Sequence, residues 1–173
     1  MTTRTMPQRR EDITALRDLL GELHGAQASL HAVLMEKLAA MRDADISGMQ
    51  NATAEEGDLL SRFELLDAQR HTVTARLAST FGTPGGGPLR MSQVIAALDG
   101  ADRREMSDLT DSLREMMLKV ADANRVVTLV SREMNEHFKT IFEAMTQAAA
   151  ESVGYSRCGR TETRAACLLD AVG

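Results

Sequence analysis

The sequence predicts an all-α protein: an antiparallel helical hairpin plus a long third helix in an elongated, coiled-coil-like three-helix bundle, with a short helix after a Gly/Pro loop. Three observations carry that prediction. From Asp102 to about Ala150, apolar residues recur at Met106, Leu109, Leu113, Met116, Val120, Ala123, Val127, Val130 and Met134. These steps of three and four are the seam of a helix packing along another helix. No Pro or Gly falls between Arg103 and Ala150, so the helix would run roughly 70 Å and needs long partners. Two earlier seams supply them. The composition agrees, with no Trp, one Tyr and four Phe against eleven Met. Strands favour β-branched and aromatic residues, whereas Leu, Met and Ala suit helix seams.

Taken in order, residues 1–10 hold Arg4, Pro7, Arg9 and Arg10 and are expected to be a flexible tail. The first helix, about 11–43, opens with Glu11 and Asp12, whose charge the helix dipole favours. Its seam is Ile13, Leu16, Leu20, Leu23, Gln27, Leu30, Leu34, Leu38 and Met41. Gly21 and Gly25 each cost up to about 1 kcal/mol of helix propensity, and are expected to admit a close neighbour. Asp43, Asp45, Ser47 and Gly48 mark a tight connection. A second helix, about 49–81, follows with seam positions Met49, Ala52, Glu56, Leu59, Phe63, Leu66, Arg70, Val73 and Leu77. Gly82-Thr-Pro-Gly-Gly-Gly-Pro88 cannot continue it. A short helix, 92–99, is expected with Ser92 as its N-cap and Gly100 as its end, and Asp102 as the cap of the long helix, about 103–150. Both outer helices contain two successive four-residue steps, Leu30–Leu34–Leu38 and Val130–Met134–Phe138, a stutter that locally unwinds a supercoil. Residues 11–150 thus read as one bundle domain. Residues 151–173 read as a flexible C-terminal tail that is either frayed or ordered by a partner.

The chemistry of most enzymes is missing from this pattern. Glu133 and His137 do not make the Glu-x-x-His pairs of a di-iron bundle, and the Gly-rich loop lacks the Lys-Ser/Thr of a phosphate cradle. His24 and His31 share a helix face without ligand neighbours and read as solvated. Cys158 and Cys167 have no His near them in sequence, so they read as reduced and unpaired. No catalytic residue, cofactor or metal is expected. A net charge of −5 with few aromatics argues against nucleic-acid binding, and there is no apolar run of about 18 residues to span a membrane.

The second helix carries a resemblance. Glu36-x-x-Ala39-Ala40, then Asp45-x-x-x-Met49-x-x-Ala52-x-x-x-Glu56-x-x-Leu59-Leu60-x-x-Phe63-x-x-Leu66-Asp67-x-x-Arg70, resembles the flagellar export chaperones of the FlgN type. Asn124 before Val126, Val127 and Leu129 is similar to that family's Asn-containing turn of the last helix, and Tyr155-x-x-x-Gly159 to its closing Tyr and Gly. Ala121 stands where the family has a further Asn, Glu56 where it has Lys, and Ala40 where it has Leu. The resemblance implies a cytoplasmic type III export chaperone that shields the terminal helices of hook–filament junction proteins and delivers them to the export apparatus. It also implies partner-binding roles for Asn124 and Tyr155. The residues themselves point to Met134, Phe138, Ile141, Phe142 and Met145, an apolar run near the end of a helix expected to outrun its partners. The rival reading is a structural coiled-coil homodimer or scaffold with no secreted client.

Overall fold

In the computed structural model, residues 6–81 and 90–152 are described. They form α1 (Met6–Arg42), α2 (Ile46–Phe81), α3 (Met91–Ala96) and α4 (Gly100–Ser152). No strand occurs among the described residues. The chain divides by packing into two compact units, Met1–Ser131 and Arg132–Gly173.

The first unit is built on the α1/α2 hairpin. Asp12 meets Arg76 at 3.1 Å near one end, and Lys37 meets Glu56 at 2.7 Å near the other, so the two helices are antiparallel. Contacts from α1 to the α3/α4 segment keep one register. Arg9 to Ala97, Arg17 to Glu105 and His24 to Ser112 are each separated by 88 residues. A constant offset means that this part of α4 runs parallel to α1 without slippage. Two apolar clusters fill the space between the helices. One gathers Leu16, Leu20, Leu23, Leu77, Val94 and Met106, and the other Leu30, Leu34, Ala123 and Val127. Phe63 of α2 packs against both. Within this unit the apolar seam positions turn inward, and Asp12, Lys37 and Glu56 are charged residues withdrawn with them.

Several boundaries differ from the sequence reading. α1 begins at Met6 rather than Glu11, so residues 6–10 belong to the helix and not to a tail. Pro7 lies in the first turn, where its missing N–H breaks no helix bond. Arg9 fixes the segment by donating from Nη2 to the Ala97 carbonyl at 2.8 Å. Ser92 does not cap α3. Arg90 holds the N-cap position, and its backbone N–H donates to Gln93 Oε1. Gly100 opens α4 rather than closing α3. Its φ of +57° makes the reversal that an L side chain would resist, and it leaves Asp102 in the first turn. A Cβ at Gly21 or Gly25 would meet nothing within 4 Å, so neither glycine admits a close neighbour. His24 is half-buried, with Nε2 3.0 Å from Ser112 Oγ, and His31 is half-buried as well. The 88-residue offset brings Arg42, the last residue of α1, level with Val130. The four-residue steps of α1 and α4 are therefore not opposite one another, although both helices contain them.

The connection between α1 and α2 is fully determined by hydrogen bonds. Asp45 N–H donates to the Ala40 carbonyl and Ala44 N–H to that of Met41, the two bonds of a Schellman motif. Ala44 takes the left-handed position at φ 54°. Asp45 then caps α2, its Oδ1 accepting from Gly48 N–H at 3.0 Å. The second helix accordingly starts at Ile46, three residues before the start that the seam indicated.

Candidate functional site

Within the second unit, α4 runs from Arg132 to Ser152. At 100° per residue, Met134, Phe138, Ile141, Phe142, Met145, Ala148 and Ala149 fall in one stripe roughly 100–120° wide. Arg132, Glu136, Lys139 and Glu143 occupy the opposite face. The segment is amphipathic, and its apolar face is open. Phe138 is 62% exposed, Ile141 56%, Phe142 71% and Met145 65%. Met134 is half-buried. Four large apolar side chains at spacings of three and four, all more than half exposed, form a surface shaped for another helix. Thr140 and Thr146 return their hydroxyls to backbone carbonyls of the preceding turn, at Glu136 and Phe142. They leave no free polar donor within the stripe.

The remaining two sequence candidates are placed differently. Asn124 lies in the first unit on an exposed position of α4, with its backbone carbonyl accepting from Thr128 Oγ1 at 2.8 Å. Glu151 and Ser152, expected to open the tail, are the last residues of α4, while Tyr155, Cys158, Cys167, the Gly/Pro loop and the rest of the tail lie outside the described residues. The seam reading passed over other exposed apolar residues of α4, namely Met117, Leu118, Val126 and Leu129. Leu118 and Leu129 are about one helix diameter removed from the core-facing positions, at nearly the opposite azimuth. Their off-seam placement was the available signal.

The quoted sequence signature of α2 has a local physical meaning. Leu66 is buried in the first cluster, and Arg70 reaches back one turn to Asp67 Oδ1 with Nη2 at 2.7 Å and Nε at 2.9 Å. The Arg70 hydrogen bond holds the Asp67 carboxyl below the ordinary carboxylate range. Among the described residues, no group of three His, Cys, Asp or Glu is placed to hold a metal ion. No helix there is long and apolar enough to cross a membrane.

A comparison with protein-family models matches the FlgN protein family over residues 6–163. The chain belongs to the FlgN family. FlgN proteins are flagellar export chaperones, and this chain takes that general role with its membership. No curated protein and no solved structure matches it. The FlgN match spans the whole α1/α2 hairpin, α3, and all of α4, including the open face at its end. Glu56, which departs from the Lys that resemblance led one to expect, is accommodated here by Lys37. The pair is 2.7 Å apart, with side chains only 15% and 22% exposed.

Proposed function

We propose that this FlgN-family protein is a cytoplasmic export chaperone whose open face on the end of α4 receives the terminal helix of a hook–filament junction protein. The exposed set Phe138, Ile141, Phe142 and Met145 is the observation that carries this reading. An amphipathic terminal helix would bury these side chains against its own apolar stripe, and its tendency to associate prematurely would be suppressed meanwhile. Delivery to the type III export apparatus follows as the second half of the same task, with components of that apparatus as further contacts. Asn124 and Tyr155 are assigned to partner contact on the family resemblance alone.

Burying a Phe contributes roughly 1.5–3 kcal/mol, so two of them supply about 3–6 kcal/mol, a large share of the roughly 8 kcal/mol that micromolar binding requires. Phe138→Ala with Phe142→Ala is therefore expected to weaken binding of a junction protein's terminal segment more than about tenfold. The melting temperature should stay nearly constant, because neither ring is part of the two buried clusters. Titration calorimetry beside thermal melting reads both quantities. Undiminished binding would move the client elsewhere, and a large fall in melting temperature would make these rings part of the fold.

A further inference from the structure

The width of the open stripe on α4 bears on what kind of partner fits it. Within one heptad, Phe138, Ile141 and Phe142 span about 100° of the helix surface, and Met145, Ala148 and Ala149 repeat that arc in the next. The seam of α4 within the first unit is narrower. Val120 with Ala123, or Val127 with Val130, spans about 60°. Yet that narrower seam already meets two helices. Ala123 and Val127 share a cluster with Leu30 and Leu34 of α1, and Leu59 and Phe63 of α2 pack against it. A face broader than one shared by two helices is not filled by a single helix.

The positions beside the seam agree. With Phe138 and Met145 at a and Ile141 and Ala148 at d, the e positions hold Phe142 and Ala149, and the g positions His137 and Ala144. In a two-stranded pairing, e and g carry the Glu and Lys that bridge the strands. These four positions hold neither. Apolar residues at a, d and e together are the pattern of a helix inside a bundle, whereas a and d alone make a two-stranded seam. Between Arg132 and Ala149 the acidic and basic residues are Arg132, Glu133, Glu136, Lys139 and Glu143, and all of them lie off the stripe. Lys139 and Glu143 pair with each other within α4 at 3.8 Å.

Area points the same way. Five large side chains offer a single helix on the order of 500 Å², short of the roughly 800 Å² per partner of a stable interface between free proteins. Two helices laid along the stripe also cover its flanks, His137 and Ala144 on one side and Lys139 on the other, and so approach that size. A second copy of this chain, pairing through the same face, would bring one helix to it and leave part of each stripe open.

We propose that the end of α4 is one helix of a three-helix bundle whose other two helices both come from the partner. The partner class is thus a protein that presents two amphipathic helices side by side. This rests on the client reading and narrows it, since a junction protein would be held by both of its terminal helices at once. Each helix completes the apolar surface that the other needs, so the two bind cooperatively.

Calorimetric titration of the full-length chaperone with the N-terminal and the C-terminal helical segment of one junction protein, singly and together, tests this. Each segment alone is expected to bind weakly, and saturation with one should tighten the other more than about tenfold. Sedimentation should find one chaperone chain carrying both segments. A single segment that binds as tightly as the pair would overturn the proposal. A second segment whose affinity ignores the first, or is weakened by it, would overturn it too, as would a saturated complex holding two chaperone chains. If Phe138→Ala with Phe142→Ala still weakened binding in those cases, the client reading would stand and only the two-helix reading would fall. Binding of the pair that is indifferent to those substitutions, or no binding at all, would sink both.

Discussion

Glu56 and Lys37 show how one residue departs from its family's pattern without loss. Two unlike charges at 2.7 Å, largely withdrawn from water, hold α1 to α2. Their desolvation is offset only while both are present. Glu56→Lys would set two ammonium groups against each other, with an expected loss of about 2–4 kcal/mol in denaturant unfolding. A Lys37→Glu partner substitution should recover much of it. Gly21 and Gly25 work in the other direction. Both are exposed, with open space where a Cβ would lie. Gly21→Ala and Gly25→Ala are each expected to raise stability by about 0.5–1 kcal/mol, seen as higher denaturant midpoints with unchanged slope. Asp67 adds a small pH dependence. Arg70 depresses its folded pKa, so its contribution is complete above the unfolded carboxylate range and lost as pH falls through the folded value. The pair is half exposed, which keeps the effect small. Asp67→Asn should flatten that acid limb of the stability curve and leave neutral stability little changed.

At the scale of elements, the α1/α2 turn is where sequence and structure differ in an instructive way. Helix existence was legible because Leu16, Leu20, Leu23, Leu30 and Leu34 repeat with the helical period and are buried. Helix ends were less so. Ala44 gives no turn signal, yet it occupies the left-handed position that usually belongs to glycine, held by the two Schellman bonds and the Asp45 cap. Ala44→Gly is accordingly expected to stabilise the hairpin by about 1 kcal/mol. Asp45→Ala should destabilise it by a similar amount through the lost cap. Thermal melts of the two variants check both signs. Gly48 reads from sequence as a helix breaker, but it serves the cap. A Cβ there would stand 2.5 Å from Asp45 Oδ2 and force the capping carboxylate to move. The start of α1 was misread for a related reason. Pro7 resembles tail punctuation, while the contact that orders its neighbourhood, Arg9 to Ala97, spans 88 residues and has no local signature.

For the whole molecule, the register between α1 and the first part of α4 governs how the chain can reach its fold. Pairing α1 with α2 closes a three-residue turn. Pairing α1 with α4 must first enclose 88 residues, an extra chain-entropy cost of about 2–3 kcal/mol. Contacts of short sequence separation form early, and those that close long loops come later. The hairpin is therefore expected to be the folding nucleus, with the first part of α4 docking onto it. Conservative truncations confined to the hairpin, such as Leu66→Ala, should slow refolding. Met106→Ala and Ala123→Gly should chiefly hasten unfolding, and stopped-flow chevrons distinguish the two patterns. On a ribosome, the hairpin would have left the exit tunnel while α4 was still being made, so the seam awaiting Met106 and Val127 would for some seconds be exposed to its surroundings.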